Sequence, residues 1–337
     1  MYKIKFNYLV IIFTLILFSC DSSDDKMIPP PESETVESTI LLTATNTGEI
    51  YEIGYTSGSL KKVGQINKEN NSSLIATSTL TATENNIYAI EYLYNPEPSN
   101  NLLIYNKLSS TSQIKPLQLP NSIPGNEKAI IALDVALNGS TLIGVLDTDI
   151  LAVNSTKHII TINTESGFIS TTGITFTEDK ITSIKRLGSK LYVSTWASGF
   201  LEIDLDFHTV ENLHFNNLEL NGSRICHLDN SEIAFMQAVP NTINSAKPVL
   251  LNPVNQTLTD HSENTNYELA TLFGSSLVKF NTYLNLVSTD TVFFGVLKTN
   301  LETNETELLE INSASVNRNM VILDILFRTN DFFPEED

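Results

Sequence analysis

The sequence has few residues that could cross-link it or hold a metal ion. It contains two cysteines and five histidines, and no two histidines have a metal-ligand spacing such as H-x-x-x-H. We therefore expect neither a metal nor a cofactor. If Cys20 is modified, as argued below, Cys226 has no partner for an intramolecular disulfide. The fold must then be stabilised by core packing, which a chain of this length can supply.

Basic residues are also scarce. The chain has 20 Lys and Arg against 39 Asp and Glu, a formal net charge of −19. Such a protein repels phosphate backbones, so we expect no nucleic-acid partner. No motif for phosphate binding, for zinc or for a nucleophile elbow is present. Asp147 and Asp149 lie outside any EF-hand-like loop, so calcium there is only an alternative.

A catalytic cysteine is a further possibility that the local pattern argues against. Cys226 and His227 are adjacent in a run of alternating apolar residues. Neighbouring residues on a strand point to opposite faces, so this pair is badly placed to act as nucleophile and base. Cys226 is predicted to be a small buried hydrophobe.

Long apolar runs are missing except near the N-terminus. Lys3 and Lys5 precede an apolar run over residues 9–18, too short to span a bilayer, and Leu17-Phe18-Ser19-Cys20 follows. This order resembles a bacterial lipobox, which implies a signal peptide over 1–19 and lipidation of Cys20. An ordinary secretory signal is the alternative. A multiply acylated Cys20 would hold the protein on a membrane.

Residues 20–38 are predicted to be a disordered tether, because they are acidic, contain Pro29-Pro30-Pro31 and have almost nothing to bury. The patch Asp21-Ser22-Ser23-Asp24-Asp25 resembles the surface-export signal of Bacteroidota lipoproteins. The resemblance implies an outer-membrane lipoprotein exposed on the cell surface; the periplasmic face of that membrane is the alternative.

Helical periodicity is nearly absent from the remaining 300 or so residues. Runs of period two, rich in Ile, Leu, Val, Thr and Tyr, alternate with clusters of Asn, Gly, Ser and Thr and repeat roughly every fifty residues. The clearest unit is 181–215, which predicts four strands at 181–184, 190–195, 200–205 and 210–215. We interpret this unit as one blade of a β-propeller.

The repeat predicts an all-β propeller over residues 39–330, followed by a tail over 331–337. We expect six four-stranded blades, with five along the chain and a sixth made of three strands from residues 39–68 and one from 320–326. Sharing a blade between the chain ends hides edge strands. A count of seven blades would need a shorter repeat, and a pair of β-sandwiches would not explain one period along the chain.

The segment Ile181-Thr182-Ser183-Ile184, with Leu191-Tyr192-Val193-Ser194-Thr195 and the following Gly199-Phe200-Leu201 and Asp204, resembles the propeller repeat of hybrid two-component regulators. Tyr192 stands where that family prefers Trp, and Ser194 where it prefers Gly. The other repeats resemble generic NHL or YncE-like propellers. The resemblance implies the fold, and propellers serve many functions.

Propellers usually bind ligands at one end of their channel, on the loops after the second and fourth strands of each blade. Four residues on such loops are our candidate ligand-binding residues: Trp196, Tyr94, Asp147 and Asp290. An aromatic platform beside acids suits stacking on a sugar or holding a cation. The alternative is that Trp196 packs between blades. Asn95, Glu97, Asp149, Gln237 and Asn241 lie on the same loops.

These patterns predict a membrane-anchored surface propeller that binds a glycan, a peptide or a protein, without an evident catalytic motif. Two alternatives remain open at this point. One is an extracellular hydrolase or lyase, which needs converging acids. The other is a scaffold subunit of an envelope complex, which needs an exposed apolar rim.

Overall fold

The structure is a computed structural model in which Ser38–Asp337 form one compact unit. No helix of the described residues is long and apolar enough to cross a membrane. Cys20, the predicted tether and the tail over 331–337 lie outside the described residues. The structure describes residues 39–44, 48–66, 75–83, 85–93, 99–125, 127–135, 140–152, 154–178, 180–213, 220, 222–229, 232–239, 246–252, 257–260, 275–289, 294–311 and 325–329.

The described residues form strands throughout, in accord with the all-β prediction. The strands in chain order are β1 (Thr39–Ala44), β2 (Glu49–Gly54), β3 (Leu60–Gln65), β4 (Ile75–Ala82), β5 (Asn86–Leu93), β6 (Ser99–Asn106), β7 (Thr111–Leu117), β8 (Ala129–Val135), β9 (Thr141–Asp147), β10 (Thr156–Asn163), β11 (Ile169–Thr177), β12 (Ile181–Leu187), β13 (Lys190–Thr195), β14 (Gly199–Asp204), β15 (Thr209–Leu213), β16 (Arg224–Leu228), β17 (Ile233–Ala238), β18 (Ala246–Asn252), β19 (Thr257–Asp260), β20 (Ser275–Phe280), β21 (Tyr283–Thr289), β22 (Phe294–Asn300), β23 (Thr306–Glu310) and β24 (Ile325–Thr329).

Within the described residues these strands form four-stranded antiparallel sheets. Five sheets take four consecutive strands each, and we number them sheet 1 (β4–β7), sheet 2 (β8–β11), sheet 3 (β12–β15), sheet 4 (β16–β19) and sheet 5 (β20–β23). A further sheet has the order β24-β1-β2-β3, and we call it the closing sheet. A count of six blades therefore depends on the pairing of the two chain ends. The pairing of the chain ends agrees with the prediction, and Leu41 lies opposite Phe327, but the described C-terminal strand is Ile325–Thr329, whereas the sequence predicted it over residues 320–326.

Sheet 3 shows how closely the period-two pattern specified the strands. β13 has the predicted bounds, while β14 begins one residue early at Gly199, whose φ of 78° ends the preceding turn. Tyr192 and Ser194, where the sequence departs from the repeat that it resembles, each have a polar neighbour on an adjacent strand. The Ser194 hydroxyl lies 2.7 Å from that of Thr182, and Tyr192 lies opposite Glu202 in the β13–β14 pair. Burial, with the nearby Glu202 charge, raises the pKa of Tyr192 to about 12.

The core is divided into hydrophobic clusters that lie between sheets. Sheets 1 and 2, 2 and 3, 3 and 4, and 4 and 5 each share one cluster. The closing sheet shares one cluster with sheet 1, through Ile50 and Ile66, and another with sheet 5, through Ile53. Every sheet therefore packs its two faces on two neighbours, which is the arrangement of a β-propeller.

Buried polar contacts at the closing sheet accompany the apolar ones. The Tyr105 hydroxyl of sheet 1 donates a 2.8 Å hydrogen bond to the carbonyl of Val63, and its ring occupies the space that a Cβ on Gly64 would need. On the other side, the Tyr55 hydroxyl donates to Asn285 Oδ1 of sheet 5 at 3.0 Å. The contact of the chain ends with both neighbouring sheets is thus specific in geometry as well as apolar.

Candidate functional site

Trp196 lies at the end of the molecule where the first strand of each sheet begins. It follows β13, and its backbone N–H donates to the carbonyl of Lys180, the residue before β12. Gly222, which precedes β16, donates to the Thr195 carbonyl beside it. The loop therefore combines a turn of sheet 3 with the connection that leads into sheet 4.

The Trp196 side chain is 48% exposed, so it is not packed between blades. Its ring lies against Gly222, close enough that a Cβ there would be 3.4 Å from the Cε3 and Cζ3 atoms. Gly222 also has a φ of 70°, which favours glycine. The ring is thus supported on one side by backbone, and a large part of its surface remains available to solvent.

Polar residues of different charge lie near Trp196 in the chain fold. The Ser198 hydroxyl donates to Glu178 Oε2 at 2.9 Å, which brings the carboxylate of Glu178 to the Trp196 loop. Lys180 is exposed and lies opposite Trp196 across the β12–β13 pair. An aromatic surface beside a carboxylate, a hydroxyl and an ammonium can stack on an apolar ligand face while neighbouring groups donate and accept hydrogen bonds.

Asp147 is the last residue of β9, the second strand of sheet 2, and it is buried. Its carboxylate lies 3.3 Å from the ammonium of Lys157, which is fully buried, and it accepts hydrogen bonds from Ser155 and from the backbone of Asp149. A charge held in this way is a structural element of the loop. Asp147 therefore lacks the exposed carboxylate that a ligand-binding acid on a funnel would present.

Asp147 and Trp196 are nevertheless connected. The Lys157 ammonium also donates to the carbonyl of Glu178, and Glu178 is the residue that accepts from Ser198. The buried ion pair of sheet 2 thus fixes the backbone that carries the carboxylate next to the tryptophan. Sequence reasoning missed Glu178, Lys180 and Ser198, although their positions beside Trp196 follow once the β12–β13 register is known.

Tyr94 and Asp290, the other two candidates, lie outside the described residues, as do Asn95, Glu97 and Asn241. No group of His, Cys, Asp and Glu among the described residues has the arrangement of a metal site. Cys226 is a free, buried thiol in the cluster between sheets 4 and 5, which confirms its predicted role.

A second polar constellation lies on the first strands of sheets 1, 2 and 3. Asp134 Oδ1 accepts from the Thr81 hydroxyl at 3.0 Å and from the backbone of Val135 at 2.8 Å, while Oδ2 accepts from the backbone of Arg186 at 2.6 Å. Burial raises the pKa of Asp134, although the charge of Lys185 and these hydrogen bonds act against the shift. The carboxylate links three sheets. Both of its oxygens already accept hydrogen bonds from the protein.

Large apolar side chains are exposed elsewhere on the described surface. Three of them lie on turns that join the third and fourth strands of a sheet, which we call outer turns. These are Leu108 in sheet 1, Phe168 in sheet 2 and Phe207 in sheet 3. Phe168 also lines a groove between sheets 1 and 2, with a volume of about 920 Å³.

No protein-family model matches the sequence, and no curated protein matches it. Among solved structures, the chain is similar to PorZ of Porphyromonas gingivalis, described as an essential bacterial surface component of the type-IX secretion system. The identity is 13% and the TM-score is 0.41, over 72% of this chain and 29% of that chain. It is also similar to the extracellular domain of a putative hybrid two-component system from B. thetaiotaomicron, with 13% identity and a TM-score of 0.44, over 82% of this chain and 35% of that one. The chain spans about a third of the length of these two.

Proposed function

We propose that this protein is a membrane-anchored, surface-exposed propeller that binds a ligand on the Trp196 loop. The observation that carries the proposal is the exposed tryptophan supported by Gly222, on a loop that is hydrogen-bonded to Lys180 through its backbone and to Glu178 through Ser198. An aromatic ring held rigidly at the surface has little entropy to lose on binding, which is typical of interaction sites. A glycan, a peptide or a protein segment could use this surface.

The proposal includes a ring of six blades. The closing sheet counts as the sixth because it packs against sheet 1 and against sheet 5, as every other sheet packs against its two neighbours. A closed ring holds the loops that follow the second strands at fixed distances from each other. Tyr94, Asp147 and Asp290 remain proposed neighbours of the site, with Asp147 in a supporting role through Lys157 and Glu178.

The proposal also keeps the lipid anchor on Cys20 and a location at the outer face of the outer membrane. The order of basic residues, apolar run, small residue and cysteine supports the anchor. Cys20→Ala should leave uncleaved precursor or release the protein from membranes. Metabolic labelling with a fatty acid measures this directly, and a wild-type protein that is soluble and unlabelled would exclude the anchor.

Trp196 is the single tryptophan of the chain, so it reports on its own site. We expect a bound ligand to change its fluorescence, and Trp196→Ala to lose about 1–3 kcal/mol of binding free energy. Glycan and peptide arrays identify the ligand. Fluorescence titration with that ligand then measures the affinity. Because the ring is half-exposed, Trp196→Ala should cost only about 1 kcal/mol of folding stability.

Phe207→Ala is the matched control. Phe207 is 81% exposed and belongs to the same sheet, but it lies on the outer turn. The Phe207→Ala variant should leave both the affinity for the ligand and the fluorescence response of Trp196 unchanged. If an array ligand binds Trp196→Ala as tightly as the wild type, its binding site does not include this loop. A loss of several kcal/mol in stability for Trp196→Ala would make the ring a core residue.

One observation favours the scaffold alternative as a second candidate. Leu108 and Phe207 expose large apolar side chains on outer turns of sheets 1 and 3, as an apolar rim would require. Replacing both by serine in the anchored protein should then abolish the envelope partners captured by chemical cross-linking. Unchanged cross-linked partners would rule out these turns as the docking rim.

A further inference from the structure

We propose a second binding site, for a neutral oligosaccharide, in the groove between sheets 1 and 2. One wall of this groove is the end of β7 and the connection that follows it, and the other is the outer turn of sheet 2 with the start of β11. Trp196 is not among the lining residues, so the site is separate from the one proposed above. The groove is lined by Pro116, Gln118, Leu119, Pro120, Asn121, Ser122, Ser166, Gly167, Phe168, Ile169, Ser170 and Thr171.

The chemistry of the lining selects for an uncharged ligand. None of these described lining residues carries a charge, in a protein whose formal net charge is −19. A charged ligand would lose hydration in the groove without gaining an ion pair there. The field of the whole protein disfavours anions further. Neutral ligands do not incur either cost.

Amide and hydroxyl groups line the groove and are free to bind. The side chains of Gln118, Asn121, Ser122, Ser170 and Thr171 are solvent-exposed, and none of them has a hydrogen bond within the part of the chain that the structure describes. Each amide both donates and accepts, and each hydroxyl does the same. This inventory matches sugar hydroxyls, which also donate and accept at every ring position.

An apolar surface lies among these polar groups. Phe168 is 69% exposed at the tip of the outer turn, and Pro116, Leu119 and Pro120 face the same groove. The polar groups and the ring together suit a ligand that has an apolar C–H face edged by hydroxyls, which is the surface of a pyranose. A ligand that is apolar throughout could not form hydrogen bonds with these amides and hydroxyls.

Both walls are held in place by lysines whose ammonium groups point at backbone carbonyls. Lys128 Nζ donates to the carbonyls of Pro120 and Ile123 at 3.2 and 3.0 Å, which fixes the connection after β7. Lys115 Nζ donates to the carbonyls of Thr164 and Glu165, which fixes the outer turn. The groove is therefore formed before a ligand binds, and its two nearby cations are already used by the protein.

The rival occupant is an extended peptide on the free edge of β11. Such a peptide would pair with backbone groups, and its affinity would depend little on the Phe168 ring. The oligosaccharide instead depends on that ring and on the amides of Gln118 and Asn121. The two occupants are therefore distinguished by the same set of variants.

The experiment uses the purified chain without its leader and a panel of neutral linear oligosaccharides of glucose, mannose, galactose and xylose. Oligogalacturonate is the charged control, and a neutral Ser/Thr-rich peptide represents the rival. Calorimetry and saturation-transfer NMR measure binding by the wild type, Phe168→Ala, Gln118→Ala and Phe207→Ala. Phe207→Ala is matched to Phe168→Ala because both side chains are exposed on outer turns of adjacent sheets.

We expect at least one neutral oligosaccharide to bind, with a Kd that does not change with salt concentration. Phe168→Ala should raise that Kd about tenfold without changing the melting temperature, and Gln118→Ala should raise it severalfold. Phe207→Ala should bind as the wild type does. Binding of the peptide or of oligogalacturonate alone, no binding by any neutral sugar, or an unchanged Kd in Phe168→Ala would each overturn the proposal.

Discussion

Asp134 shows how one side chain can join parts of the chain that are far apart in sequence. Its carboxylate receives hydrogen bonds from Thr81 of β4 and from the backbone of Arg186 of β12, so three first strands meet at one group. Burial of this carboxylate destabilises its charged form and raises its pKa above the usual value of an aspartate. The group therefore binds a proton more readily in the folded protein than in the unfolded chain.

This raised pKa predicts a specific dependence of stability on pH. A carboxyl group whose folded pKa is raised contributes stability that is fully present below its unfolded pKa and is lost as pH rises through the folded pKa. The difference in unfolding free energy between the wild type and Asp134→Asn should therefore decrease with rising pH, from about pH 4 upward, and then level off. Urea denaturation of both proteins at several pH values measures this difference. A difference that grows with pH would contradict the assignment.

Trp196 and Asp147 show which parts of a site can be predicted from residues alone. The sequence left Trp196 either as an exposed loop residue or packed between blades, and the structure shows it after β13 and 48% exposed. The same reasoning did not show that Asp147 is buried. Lys157 lies directly opposite Asp147 in the β9–β10 pair, so the ion pair depends on a cross-strand register. Period alone does not give a register.

The outer turns are an element that recurs through the molecule. An Asn or Asp at or near the end of the third strand accepts hydrogen bonds from the backbone two and three residues later, and a residue with positive φ follows at the fourth position. Asn106 with Ser110, Asn163 with Gly167, Asp204 with His208 and Asn300 with Asn304 share this arrangement. The closing aspartate of the family repeat, here Asp204, is therefore a turn cap.

The shared turn predicts opposite effects at equivalent positions of two sheets. Gly167 and His208 have φ values of 72° and 56°, in a region that favours glycine. Gly167→Ala should destabilise the protein by about 1 kcal/mol, and the added Cβ would make only ordinary contact, 3.5 Å from Leu117. His208→Gly should be neutral or stabilising by up to about 1 kcal/mol. Denaturant unfolding compares the two, and a stabilising Gly167→Ala would show that the turns are not equivalent.

At this scale the sequence was informative about strands and less so about what joins them. The period-two runs located β13 to the residue and placed β14 within one residue, although β13 is buried continuously from Leu191 to Thr195 because both faces of its sheet are packed. The groove between sheets 1 and 2 was not predicted. Its walls come from residues about fifty positions apart, so it exists only after the two sheets have packed.

The whole molecule depends on the contacts of the closing sheet. Tyr105 bonds to Val63 and Tyr55 bonds to Asn285, so the closing sheet is tied to sheets 1 and 5 by one tyrosine on each side. Burial raises the pKa of Tyr55 to about 12, and the Lys298 ammonium lies 4.1 Å from the centre of its ring. The clusters on both faces of the closing sheet add apolar burial to these bonds. The closing sheet is thus held to both neighbouring sheets by hydrogen bonds and by apolar burial.

Removing the last strand should therefore affect the molecule as a whole. β24 is an edge strand of the closing sheet, whose order is β24-β1-β2-β3. It pairs with β1 and lies next to β20 of sheet 5. Deletion of residues 319–337 removes it, exposes an unpaired edge on β1 and removes the contact with β20 of sheet 5. We expect the truncated protein to lose its cooperative thermal transition or to melt far below the wild type, measured by circular dichroism. Deletion of residues 331–337 alone is the matched control, because β24 ends at Thr329, and it should leave the melting temperature unchanged. A protein lacking 319–337 that melts with the wild type would show that the C-terminal strand is not needed to close the propeller.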